Sequence, residues 1–70
     1  MKVVTANMAG VVLRLMVSPG EQITSGQDVV CLESMKMEVN VNAMESGKIK
    51  EVKVGIGDFV NEGDVLIVLE

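Results

Sequence analysis

Seventy residues with no histidine, tryptophan or tyrosine, one cysteine and one phenylalanine leave little room for catalysis. Cys31 has no partner for a disulfide, a zinc site lacks its usual ligands, and Ser-His-Asp or Cys-His devices are excluded. Ten acidic against six basic side chains give a net charge of −4, with one aromatic ring in all, which argues against binding nucleic acid.

In chain order, a strand is expected near 2–5, and Met1-Lys2-Val3-Val4-Thr5 does not look like a secretion signal. A second strand is expected over 11–17 and is followed by Ser18-Pro19-Gly20-Glu21, with Pro and Gly at the two centres of a type II turn. Short strands near 22–24 and 29–33 flank the turn Thr24-Ser25-Gly26-Gln27, and Cys31 reads as a small buried hydrophobe. Over 38–43 the chain alternates, with Val39, Val41 and Ala43 on one face and Glu38, Asn40 and Asn42 on the other. Strands near 48–54, 59–61 and 65–69 complete eight, separated by the turns Gly55-Ile56-Gly57-Asp58 and Asn61-Glu62-Gly63-Asp64. Lys48, Lys50 and Lys53 with Glu51 read as a solvated face. Phe59 and the valines are expected in the core, with Met8, Met16 and Met44 as packing residues. The apolar run Val65–Leu69 is far too short to span a membrane. An unpaired cysteine fits a reducing interior, so the cytoplasm is the expected location.

The chain is one unit written twice. Residues 10–33 and 47–70 align without a gap at an offset of 37, with six identities: Gly10/Gly47, Val17/Val54, Gly20/Gly57, Gly26/Gly63, Leu32/Leu69 and Glu33/Glu70. Seven more of the 24 pairs are similar. Neither half can bury its own apolar face. A single domain over 1–70 is therefore expected: an all-β flattened barrel or sandwich with a quasi-twofold axis.

Residues 34–38, Ser34-Met35-Lys36-Met37-Glu38, lie between the copies. The chain must reverse near Met35-Lys36, yet none of its seven glycines is used there. Two-residue hairpin turns need positive φ, and Met and Lys do not favour it. A two-residue loop would also set Glu33 opposite Glu38, a mildly unfavourable like-charge pair. A local rule broken at one turn and obeyed at four others points to function.

Glu33-Ser34-Met35-Lys36-Met37 resembles the attachment signature Glu-Ala-Met-Lys-Met of biotinyl domains. The flanks agree: Val17-x-x-Gly20-Glu21-x-Ile23-x-x-Gly26 before it, Ala43-x-x-x-Gly47-x-Ile49 and Val54-x-x-Gly57-Asp58-x-Val60-x-x-Gly63 after it. Size and coverage are similar to those of small free-standing bacterial biotin/lipoyl attachment proteins. The resemblance implies two four-stranded antiparallel sheets, with the modified lysine on a hairpin and the termini at the opposite end. It implies that Lys36 is biotinylated by a biotin protein ligase, with Met35 and Met37 as flanking contacts and Glu33, Ser34 and Glu38 as hairpin context. The arm would then carry carboxylate between biotin carboxylase and carboxyltransferase components, with no catalysis by the carrier itself. Lipoate is the alternative cofactor, although two flanking methionines favour biotin. Two positions depart from the family pattern: Ser34 stands where Ala is usual, and Asn7-Met8-Ala9-Gly10 where Pro-Met-x-Gly is common. The protruding insertion of some acetyl-CoA carboxylase carriers is lacking between Val17 and Val29.

Overall fold

Glycine turns break the Val-, Ile- and Leu-rich chain every few residues, and its extended pieces pair edge to edge. The computed structural model describes residues 2–70. Its strands are β1 (Lys2–Thr5), β2 (Gly10–Leu15), β3 (Gln22–Ile23), β4 (Asp28–Ser34), β5 (Met37–Asn42), β6 (Gly47–Val52), β7 (Phe59–Val60) and β8 (Val65–Leu69). They form two four-stranded antiparallel sheets, β1-β8-β6-β3 and β5-β4-β2-β7. Val12, Ile23, Leu32, Ile49, Leu66 and Ile67, each at most 1% exposed, lie in the core between them. Removing such side chains from water is the main favourable term in folding a chain this small.

The four glycine turns have one design. Gly20, Gly26, Gly57 and Gly63 have φ of 93°, 90°, 94° and 91°, a backbone that a residue with a Cβ rarely adopts. In each turn the residue after the glycine closes it twice. Its amide donates to the carbonyl three residues back, and its side chain accepts from the amide of that same residue. Glu21 takes the Ser18 amide at 2.9 Å, Gln27 that of Thr24 at 3.1 Å, Asp58 that of Gly55 at 2.7 Å and Asp64 that of Asn61 at 2.8 Å.

These turns also lock the halves together. The Gly20 amide donates to the Ile49 carbonyl and that of Gly57 to Val12, both at 2.8 Å. Gly26 likewise donates to Ala43, and Gly63 to Ala6, at 2.8 Å. Each bond maps onto its twin by the offset of 37, so the repeat extends back to Ala6/Ala43. The hairpin of β4 and β5 has a twin as well. Its pairs Leu32↔Val39 and Val30↔Val41 correspond to Leu69↔Lys2 and Ile67↔Val4 between β8 and β1. Where one half carries a turn, the other carries the two ends of the chain. Lys2 Nζ donates to the Ser46 carbonyl at 2.9 Å, beyond the end of β5 away from the turn.

Three expectations are corrected. β2 and β6 end at Leu15 and Val52 rather than near Val17 and Val54, and each begins at its glycine. Bulges between Val12 and Arg14 and between Ile49 and Glu51 shift the register. Beyond them, Met16 and Lys53 each make one further bond, to Val29 and Leu66, before the chain leaves for its turn. Phe59 is not in the core but 64% exposed. Val60 pairs with Gly10 on the inner face, so alternation sends its neighbour Phe59 outward, opposite Val11. Of the three methionines, Met8 packs on the core, whereas Met16 and Met44 are 38% and 82% exposed.

Candidate functional site

The reversal between β4 and β5 is a two-residue turn. Ser34 pairs with Met37, and Glu33 with Glu38. Met35 and Lys36 are its centres, with φ of 53° and 65°, the only positive-φ residues other than glycine among those described. This is the backbone of the mirror-image hairpin turn, which suits the twist of the flanking strands but crowds a Cβ. The long pairing of β4 with β5 holds the turn in this conformation. It places Lys36 at the tip between two exposed methionines, Met35 at 92% and Met37 at 65% exposure. Lys36 is itself exposed, and among the described residues no hydrogen bond or ion pair engages its ammonium group.

Below the tip, β4 and β5 are tied to β2. Arg14 Nη2 donates to Glu38 Oε1 at 2.9 Å, reaching over β4. The bridge sets a positive charge against one carboxylate of the Glu33/Glu38 pair, which offsets the expected like-charge repulsion. Both partners are more than half exposed, so solvent screens the bridge and it adds little to stability. The hydrogen bond that Arg14 donates to Glu38 raises the pKa of Arg14, a group that is already charged at any pH the protein meets. Cys31 is buried as expected, but on the outer side of the sheet rather than in the core. Its Sγ lies 3.4 Å from Arg14 Nη2 and 3.8 Å from Glu38 Oε1. Further down, Asn40 and Asn42 both donate to the two oxygens of Asp28 and knit the far end of the same strand pair.

No adjacent residues in the sequence reveal the part played by Arg14. It lies 24 residues from Glu38 and meets it only through the pairing of β2, β4 and β5. Lys48, Lys50 and Lys53 are solvent-facing as read, and Lys53 pairs with Glu51 at 3.5 Å. A groove of about 300 Å³ lies away from the hairpin at the seam between β1 and β5; Val3, Val4, Thr5, Asn7, Val41, Asn42 and Met44 line it, with no ionisable side chain.

The chain that carries this hairpin has counterparts among known proteins. The family profile described as "Biotin-requiring enzyme" matches residues 2–69. The chain belongs to the biotin/lipoyl attachment family. Within it, this attachment domain is 54% identical over 66 residues to the biotin/lipoyl attachment protein of Bacillus subtilis (strain 168), covering 94% of this chain and 90% of that one. It is 43% identical over 63 residues to the mitochondrial propionyl-CoA carboxylase alpha chain of Sus scrofa, covering 90% of this chain but only 9% of that protein. In three dimensions it matches the crystal structure of Kluyveromyces lactis urea carboxylase with a TM-score of 0.91 at 28% identity, over 99% of this chain and 6% of that one.

The domain's own residues fit a covalently attached cofactor. An amide-linked group needs an amine that is accessible, unpaired and held away from the body of the protein. Lys36 meets these requirements; the other four lysines, Lys2, Lys48, Lys50 and Lys53, lie on β1, on β6 or just beyond it.

Proposed function

We propose that this protein is a biotin carboxyl carrier whose cofactor is joined to Lys36. The observation that carries the reading is the left-handed turn that holds Lys36 exposed at the hairpin tip. A biotin protein ligase would load it. The Lys36 Nζ attacks the carboxyl carbon of biotinyl-adenylate, the amide C–N bond forms as the bond to AMP breaks, and the amine gives up its proton. An ordinary lysine amine is protonated at neutral pH. Glu38 is engaged by Arg14, so the base is assigned to the ligase rather than to the carrier. Bound biotin supplies a ring nitrogen that takes up and gives up carboxylate. The barrel supplies a fixed base for the swinging arm, which keeps the ring near both a carboxylase and a carboxyltransferase component at high effective concentration. The carrier then needs no catalytic groups, in keeping with a composition without histidine. Loading removes one positive charge, so a net charge of −4 becomes −5 (−4 − 1). The lone thiol of Cys31 suits the reducing cytoplasm.

Intact mass after incubation with biotin, ATP and a biotin protein ligase tests the reading. A single biotinyl addition is expected on the wild type and none on Lys36→Arg, whose thermal stability should stay within about 0.5 kcal/mol. A lipoyl addition by a lipoate ligase, with no biotinyl addition, would replace biotin by lipoate. Biotin found on Lys48, Lys50 or Lys53 would move the site.

A further inference from the structure

The twofold repeat contains its own control. On one sheet Gln22 pairs with Lys48. The twin pair on the hairpin-bearing sheet is Phe59 with Val11. The same architectural position is polar on one face and apolar on the other, so the barrel does not require an aromatic ring there. Phe59 is nonetheless the chain's only aromatic residue and is 64% exposed. Ile56, whose twin is Pro19, lies in the preceding turn at 70% exposure.

The apolar pair is continuous with the hairpin. Val11 pairs with Glu33, and Glu33 with Glu38, so Phe59, Val11, Glu33 and Glu38 form one row across the outer face. At roughly 4.8 Å per strand, Phe59 stands about 10 Å from Glu33. Only the Ser34/Met37 pair separates that row from the turn. A protein approaching Lys36 over this face meets an aromatic ring at one end of the row and, at the other, the Glu33 carboxylate beside the Arg14–Glu38 ion pair.

We propose that Phe59, with Val11 beside it, is the anchor by which the biotin ligase that loads Lys36 grips the carrier. The complementary ligase surface has an apolar pocket with a cationic side chain facing Glu33, since Glu38 is already paired with Arg14. The inference rests on the carrier reading above. Chain length singles out the ligase among the partners: a bare lysine projects only four methylenes from the backbone, so the ligase must bring its active site against the barrel. Later partners meet a longer, loaded arm and can work farther from the barrel surface.

Loading kinetics with a bacterial biotin protein ligase test the proposal, varying the concentration of carrier. Phe59→Gln installs the residue of the twin position and should keep the melting temperature. It should raise KM about tenfold and leave kcat unchanged, the loss expected when an aromatic ring no longer enters an apolar pocket. Phe59→Leu should recover most of the wild-type KM, and Gln22→Phe on the opposite sheet should leave KM unchanged. A KM for Phe59→Gln within twofold of wild type overturns the grip, including the case in which loading is normal and only carboxylation by later partners suffers. A wild type that takes no biotin at Lys36 overturns the carrier reading and this proposal with it, so the two failures are told apart by the wild type.

Discussion

Left-handed backbone at two residues with side chains costs free energy, about 1–2 kcal/mol for each Cβ held there. Met35 and Lys36 both carry that cost, at φ of 53° and 65°. Asparagine tolerates the conformation far better. Met35→Asn is therefore expected to stabilise the fold by about 1 kcal/mol, read as a rise of roughly 4–8 °C in melting temperature. A melting temperature at or below that of the wild type would mean the turn carries no such strain. At this scale the sequence was informative about which residues and much less so about their conformation. Lys36 stands out through its signature and through glycines used at every other turn. That Met35 and Lys36 adopt the glycine-like backbone themselves could not be read, because the pairing of β4 with β5 imposes it. Arg14 was not legible at all, since its partner Glu38 is brought to it by two strand pairings.

Between elements, the repeated glycines at the start of β2 and β6 look alike in sequence and differ in what they touch. A Cβ on Gly10 would lie 2.6 Å from the carbonyl oxygen of Glu33, a backbone atom of the hairpin strand β4. On Gly47 its nearest neighbours would be the flexible end of Lys2 at 3.3 Å and Leu69 Cδ1 at 3.4 Å. Gly10→Ala should cost about 1–3 kcal/mol, as overpacking does; Gly47→Ala should cost less than about 1 kcal/mol. Chemical denaturation of the two variants checks this, and equal losses would refute the distinction. The eight strands were readable because turn glycines recur in register and Val, Ile and Leu fill the gaps. Their ends were not, because the bulges in β2 and β6 shift the register without any sequence mark. The alternation of β5 is plain in its sequence, whereas two-residue β7 is too short to reveal which of Phe59 and Val60 points inward.

For the molecule as a whole, the halves are not two small domains side by side. The amides of Gly20 and Gly26 are satisfied by carbonyls of the second half, and those of Gly57 and Gly63 by carbonyls of the first. A half alone would leave these groups unpaired and its apolar face bare. Fragments 1–35 and 36–70 are thus expected to be unfolded separately by circular dichroism and to regain strand signal when mixed; a folded single fragment would contradict this interlocking. The repeat made the barrel legible in outline, but not this exchange of bonds, which depends on how the halves face each other. One result of the same symmetry concerns how the unit could be tethered. The turn bearing Lys36 and the paired outer ends of β1 and β8, at Lys2 and Leu69, occupy equivalent positions, at opposite poles of a body 31 Å long. Any polypeptide fused to either end would leave from the pole that Lys36 does not use. On the carrier reading proposed above, the lysine is thus kept clear of its own leash, and the same barrel can be carried alone or within a longer chain without change to the end that bears Lys36.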